Sequence, residues 1–290
     1  MQIIDGKQTS LQIQEELSVE VNKIKNDGGR IPHLAAVLVG EDGASITYVN
    51  AKVKACERIG YKSSLIRMSS STTQQELLDK IADLNNDMEI DGFIVQLPLP
   101  DHIDETAVTL AISPDKDVDG FHPQNVGRMA LGLPTYLPAT PNGIVELLKR
   151  YNIETSGKNC VVVGRSHIVG SPMSILMSRK DNPGNATVTL THSRTKDITS
   201  ITKEADILIV AIGKPEFVTA DMVKDGAVVI DVGIHRIEDP SAKRGFRLKG
   251  DVKFDEVSEK ASFITPVPGG VGPMTIASLL MNTLKAAQGK

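Results

Sequence analysis

The strongest constraint on this chain is an alternation. Short apolar runs, each the length of one strand, are separated by segments whose apolar residues recur at helical spacing. Residues 8–26 place Leu11, Ile13, Leu17, Val21 and Ile24 at that spacing and stop at Asp27-Gly28-Gly29. Residues 34–39 read as a buried strand ended by Gly40, a helix through Tyr48 closes at Gly60, and Lys62–Met68 reads as a second strand. A helix opened by residues 71–76 buries Leu77, Leu78, Ile81 and Leu84, and a third strand over 92–97 is stopped by Pro98-Leu99-Pro100. A helix over 105–112 leads into a loop over 113–120. Such an order implies an α/β fold with a mostly parallel sheet.

The alternation restarts further on. Residues 121–140 are rich in Gly and Pro and read as a linker, followed by a bridging helix over 143–151. Strands are expected over 159–163, 186–191, 206–211 and 227–231, with a fifth over 263–265 and a helix over 170–178 after the first. This is half of a doubly wound nucleotide-binding fold or somewhat more. Pro273 is placed to open a final helix over 274–287 as a first-turn proline. A length of 290 residues suggests two domains, or one large one; the restart of the alternation points to two, expected as 1–121 and 122–273 with 274–290 as a terminal helix.

Composition narrows the function classes. A net charge of −4, no basic block and 3% aromatic residues argue against a nucleic-acid partner. No apolar run approaches a bilayer span and the N-terminus lacks signal-peptide character, so no membrane association and a cytoplasmic home are expected. Cys56 and Cys160 have no metal or redox spacing and read as structural, and the six histidines are scattered, so no metal site is expected.

Chemistry is expected at strand ends. Tyr48 and Lys52 are four apart, on one face of a helix that follows a buried strand, where open α/β sheets bind ligands. A solvated helix face is the plainer reading of such a pair; what raises it is the rest of the chain. Gln96 closes another buried strand on the same rim. Asp115, Asp117 and Asp119 do not make a calcium loop, because Val118 intervenes and no glutamate follows at the required distance. One of them reads better as a substrate anchor, with Asp119-Gly120 at a turn. Gly164-Arg165-Ser166 through Gly170 sits between a strand and a helix, the place of a phosphate cradle, although Ser166 stands where the usual fingerprint has its second glycine. The next strand ends in Thr191-His192-Ser193-Arg194 without the acid that binds a ribose 2′-hydroxyl, and with Arg165 nearby this favours NADP over NAD. Residues 268–275 carry three glycines in four positions, which allow close backbone approach to a ligand or make a simple interdomain loop.

Taken together, Ser45-x-x-Tyr48-x-x-x-Lys52, Val95-Gln96-Leu97-Pro98-Leu99-Pro100, Asp117-Val118-Asp119-Gly120, Gly164-Arg165-Ser166-x-x-Val169-Gly170-x-Pro172 and Pro268 through Thr275 resemble the bifunctional methylenetetrahydrofolate dehydrogenase/cyclohydrolase family, often called FolD. The resemblance runs over essentially the whole chain, with Ala139 standing where many members carry Cys. It implies an N-terminal α/β substrate domain, a Rossmann-like NADP domain and a C-terminal helix packed back on the N-terminal domain. It implies oxidation of 5,10-methylenetetrahydrofolate by NADP to the methenyl cation, then hydrolysis to 10-formyltetrahydrofolate, in a homodimer. Lys52 would be the central group of the hydrolysis, Tyr48 and Gln96 would hold and tune it by hydrogen bonding, and Asp119 would bind the pterin ring. Ser45, Val95, Leu97 and the loop of Pro268, Gly269, Gly270, Val271 and Gly272 would contact the folate. Gly164, Arg165, Ser166, Ser193 and Ile234 would contact NADP. A short-chain dehydrogenase also uses Tyr-x-x-x-Lys, but with its glycine loop before the pair; here it follows. A shikimate-dehydrogenase-like chain leaves residues 96–100 and 268–275 unexplained. A regulator with a dead site leaves Tyr48, Lys52, Gln96 and Asp119 without a reason to occur together.

Overall fold

The computed structural model describes residues 1–242 and 245–289. It divides into two compact units, one of residues 11–139 and 276–290, the other of residues 1–10 and 140–275. The division falls at 139/140, beyond the 121/122 expected, and residues 1–10 belong with the later unit.

In chain order the elements are β1 (Gln2–Ile3), α1 (Gly6–Asn26), β2 (His33–Val39), α2 (Gly43–Ile59), β3 (Lys62–Met68), α3 (Gln74–Asn86), β4 (Gly92–Val95), α4 (Glu105–Ala111), α5 (Pro123–Ala130) and α6 (Ala139–Arg150). There follow β5 (Asn159–Val163), α7 (Gly170–Ser178), β6 (Thr187–Thr191), α8 (Ile198–Thr202), β7 (Ile207–Val210), β8 (Val228–Asp231), β9 (His235–Glu238), β10 (Phe246–Lys249), α9 (Phe254–Val257), β11 (Phe263–Ile264) and α10 (Val271–Gln288).

The first unit is built on a three-stranded parallel sheet in the order β3-β2-β4. Ala35, Val37 and Val39 of β2 and Phe93 and Val95 of β4 share a core with Leu77, Ile81 and Leu84 of α3. The last three stand at i, i+4 and i+7, the spacing of a single buried helix stripe. Thr73 caps α3 by a reciprocal arrangement in which its hydroxyl accepts from the Glu76 amide and Glu76 accepts from the Thr73 amide. The C-terminal part of α10 belongs to this unit: Asn282 Nδ2 donates to the carbonyls of Val118 and Leu137, and the Tyr61 hydroxyl donates to that of Leu280. The terminal helix therefore packs on the N-terminal domain as expected.

The second unit is a six-stranded parallel sheet in the order β1-β11-β8-β7-β5-β6, with β9 and β10 as a separate antiparallel pair. Strands β5 and β7 are buried residue after residue (Val161, Val162, Val163; Leu208, Ile209, Val210), as a sheet covered on both faces requires.

Three expectations are corrected. The linker over 121–140 contains α5, whose first residue is Pro123 and whose N-cap His122 accepts from the Gln124 amide; Gly and Pro content masked a proline-initiated helix. Helix α10 starts at Val271 rather than Met274, so Val271 and Gly272 are helical and the loop is shorter. Pro273 still lies in the first turn, where an amide has no intrahelical acceptor. The two-residue β1 escaped detection because its length carries no period; it is fixed by pairing with β11.

Candidate active site

In the first unit the chain leaves β2 through Gly40, whose φ of 82° favours glycine, and enters α2 under an Asp42 cap that accepts from the Ser45 amide at 2.7 Å. Gly60, with φ 84°, ends the helix. Between these caps α2 carries Ser45, Tyr48 and Lys52 at intervals of one turn.

Lys52 is only 7% exposed, and its Nζ donates to Gln96 Oε1 at 3.1 Å. Gln96 follows the last residue of β4, and its Nε2 donates to the Leu97 carbonyl at 2.6 Å. With Nε2 committed to the Leu97 carbonyl, the Gln96 amide presents its oxygen to Lys52. Burial pulls the Lys52 amine below the ordinary lysine range, opposed by the negative charge of Asp119. The same burial raises Asp119 above the usual carboxylate range, opposed by Lys52. Asp119 keeps part of its residue surface open, but its carboxyl is enclosed by protein, and the enclosure governs its charge. Both groups are thus pushed toward their neutral forms by desolvation, and each partly restrains the other. The shifts bring the proton affinities of an amine and an acid closer together than they are in water.

Tyr48 lies one turn before Lys52 but is 38% exposed, and its hydroxyl makes no hydrogen bond to Lys52 among the described residues. Among the described residues Gln96 is the hydrogen-bond partner that holds the amine. Spacing by four residues aligns the two Cβ atoms and leaves the phenol on the open side of the helix. Ser45 is 3% exposed, and its Oγ makes no hydrogen bond of ordinary geometry, although it lies close enough to the Asp42 carboxylate to help hold that acid's pKa down. Val95, Leu97, Asp119 and Phe121 line a small recess of this unit together with Asp117.

The three aspartates of the 113–120 loop separate cleanly. Asp115 is exposed, and Asp117 is a structural acceptor for the amides of Gly120 (3.1 Å) and His122 (2.7 Å) and for Asn125 Nδ2 (3.0 Å). Those bonds hold the turn at Gly120, where φ is 75°, and so set Asp119 beside Lys52.

In the second unit Gly164 follows β5 with φ 113°, and a Cβ on it would meet the Ala211 carbonyl oxygen at 2.1 Å. Gly170 is as tight: a Cβ there would meet the Gly164 oxygen at 1.9 Å. The two glycines fold the loop down onto itself, which Ser166 reinforces by accepting from the Val169 and Gly170 amides. Among the described residues the amides of Arg165, Ser166 and His167 find no protein acceptor, so the loop offers donors at the start of α7. Arg165, Ser193 and Arg194 are exposed at the ends of β5 and β6, and the residues present fit a nucleotide bearing an added phosphate. Ile234, after β8, is 48% exposed. Pro268, Gly269 and Gly270 form a loop of this same unit, with the Lys7 backbone amide donating to the Gly269 carbonyl at 2.8 Å. Val271 and Gly272 continue it as the first turn of α10.

Sequence reasoning missed Asp231 and Asp251. Both are buried acids of the second unit that accept several backbone amides, and neither belongs to a recognisable local motif.

Comparisons with known proteins agree with this division of labour. Residues 4–119 match the family model described as tetrahydrofolate dehydrogenase/cyclohydrolase, catalytic domain. Residues 138–290 match the model for the NAD(P)-binding domain of the same family. The bifunctional protein FolD of Cytophaga hutchinsonii is 71% identical over 287 residues, covering 99% of each chain. A crystal structure of the bifunctional enzyme FolD from Campylobacter jejuni is 48% identical with a TM-score of 0.93, covering 100% of this chain and 99% of that one. The methylenetetrahydrofolate dehydrogenase-cyclohydrolase of Trypanosoma brucei, solved with NADP cofactor and an inhibitor, is 40% identical with a TM-score of 0.92, covering 99% and 97%.

Proposed function

Because the chain belongs to the tetrahydrofolate dehydrogenase/cyclohydrolase family, we propose that its two chemistries divide between the Lys52 cluster and the loops of the second unit as follows. The protein is a bifunctional enzyme. It oxidises 5,10-methylenetetrahydrofolate to 5,10-methenyltetrahydrofolate with NADP and hydrolyses the product to 10-formyltetrahydrofolate. The observation that carries the assignment of roles is the buried Lys52 amine, held by Gln96 and shifted toward neutrality beside Asp119.

Bound NADP supplies the hydride acceptor. The chain's part in that step is positioning, which is worth a large share of such a barrier. Asp119 anchors the pterin through its carboxyl, and Ser45 contacts the folate from the first turn of α2. Val95 and Leu97 give the apolar wall, with Pro268, Gly269, Gly270, Val271 and Gly272 as further folate contacts. Gly164, Arg165 and Ser166 hold the cofactor's phosphates, Ser193 and Arg165 its 2′-phosphate, and Ile234 packs on its ring. For hydrolysis, water must lose a proton as it adds to the methenyl carbon, and a ring nitrogen must gain one as the carbon–nitrogen bond breaks. Neutral Lys52 takes the first proton at Nζ and its ammonium returns one to nitrogen; as the carbon–nitrogen bond breaks, the adduct's hydroxyl oxygen becomes the formyl carbonyl and its proton passes by way of the freed amine to solvent, so one proton is released per turnover. Gln96 keeps the amine aimed, and Tyr48, on the open side of α2, orders the water and substrate rather than the lysine.

The functional domains are the expected substrate and NADP domains, with residues 122–139 serving the former. The protein works in the cytoplasm, and as a homodimer, for which the edge strand β6 leaves part of its ladder open to a second copy. Neither nucleic acid nor membrane is a partner. Mixing the protein with NADP and 5,10-methylenetetrahydrofolate while following absorbance tests the function. NADPH should appear, and added methenyltetrahydrofolate should be consumed without cofactor. Failure of both would refute the reading. Light scattering at micromolar concentration should give twice the 31.2 kDa chain mass.

A further inference from the structure

At the strand ends of the second unit, two loops are tied to one carboxylate. Strand β7 runs into Ala211-Ile212-Gly213-Lys214, and β8 runs into Val232-Gly233-Ile234-His235. Asp251, fully buried, accepts from the amides of Ile212 at 2.8 Å, Gly213 at 3.0 Å and Lys214 at 2.9 Å. It also accepts from His235 Nε2 at 2.7 Å. Gly233 passes so close that a Cβ on it would lie 2.4 Å from the Asp251 carboxyl carbon. One side chain therefore sets the first loop through three main-chain donors and the second through a side-chain donor and a van der Waals contact. Asp251 is itself fixed from below, because Asp231 accepts from the amides of Asp251 and Val252 at 2.9 and 3.0 Å and from that of Gly233 at 2.9 Å.

The topology says which part of a dinucleotide meets these loops. In the order β8-β7-β5-β6 the chain reverses direction of growth at β5, so the cofactor crevice opens between the loops of β5 and β7. The β5 loop and the end of β6 serve the phosphates and the adenosine side. The loops of β7 and β8 lie on the other side of the switch, where the nicotinamide must sit. Gly164 touching the Ala211 carbonyl confirms that the β5 and β7 loops abut.

We infer that Asp251, with His235 as its partner, is the positioning residue for the nicotinamide half of the cofactor site, fixing the 212–214 loop against Ile234. It does not touch the adenosine half. A carboxylate with four donors cannot be replaced by an amide without turning one acceptor into a donor that faces backbone amides. The loops would then separate while β5, β6 and their loops stay put. The inference rests on the reading of this unit as the NADP site.

The experiment separates the two halves by ligand. Adenosine 2′,5′-bisphosphate occupies only the adenosine side, and NADPH occupies both. Binding of each is measured by calorimetry on the parent, Asp251→Asn and His235→Ala proteins. Asp251→Asn should weaken NADPH by about tenfold or more, the usual cost of a lost charged acceptor, and leave the bisphosphate within about twofold. His235→Ala removes one donor and should act in the same direction, more weakly. If Asp251→Asn does not fold, the His235→Ala result alone decides. Equal loss for both ligands, or no loss for either, would overturn the inference. A parent protein that binds neither ligand would instead overturn the cofactor reading beneath it.

Discussion

Replacing Lys52 with Gln should separate the two activities. The substitution removes the only amine of the cluster and keeps a polar side chain of similar reach beside Gln96. Hydride transfer needs the folate held in place and produces a cation that its own nitrogens stabilise. Ser45, Asp119 and the apolar wall of Val95 and Leu97 all remain in the variant. Ring opening needs a proton accepted from water and one returned to nitrogen, and losing the group that does both typically costs about 10²–10⁴ in rate. That corresponds to about 2.7–5.5 kcal/mol of barrier. The variant should therefore convert methylenetetrahydrofolate to the methenyl form and let it accumulate, seen as an absorbance that rises and stays. Folding should not suffer. Burial disfavours the Lys52 ammonium, so the folded state binds this proton more weakly than the unfolded chain. Parent stability from this group then rises with pH from the lowered pKa up to the ordinary value of about 10.4. Gln removes the penalty, so the variant should melt no lower than the parent at neutral pH, and the difference should close toward alkaline pH. Asp119 would lose its opposing charge and rise further. Hydrolysis of added methenyltetrahydrofolate at close to the parent rate would refute the role of Lys52. Loss of both activities with folate still bound would refute the positioning argument.

Arg165→Ala should raise KM for NADP with little effect on NAD, and equal use of both cofactors by the parent would sink the specificity argument. Gly6→Ala drives a Cβ to 1.8 Å from the Gly270 oxygen, and because both sites are backbone, the 268–270 loop must move. Overpacking of this kind costs about 1–3 kcal/mol, and calorimetry should show a lower Tm together with a higher KM for folate than for NADP; an unchanged KM for folate would exclude that loop from the substrate site. Burial raises the Asp231 carboxyl to about 6, so carbon-detected NMR should find a midpoint near there; its stabilising contribution is present below about pH 4 and lost as pH rises through 6. A midpoint in the ordinary carboxylate range would contradict the burial.

What was legible in the sequence is what depends on neighbours along the chain. The period of apolar residues located α3 and the buried strands β2, β5 and β7, because a strand or helix stripe needs its own side chains on one face. Glycines before and after α2 marked its limits, and the order of Lys52 before Gly164 excluded one rival enzyme class. The ordered motifs carried the family. Tertiary structure decided what depends on residues far apart. That Lys52 bonds Gln96, 44 positions away, and not its helical neighbour Tyr48 follows from where β4 ends in the sheet. That Asp119 and not Asp117 faces the amine follows from three donors that claim Asp117. Asp251 was invisible because its partners lie 16 to 39 positions away, and only the parallel sheet brings the ends of β7 and β8 to one carboxylate. Local sequence encodes which element forms; the proton affinity of a buried amine is set by how much water the whole fold removes from it.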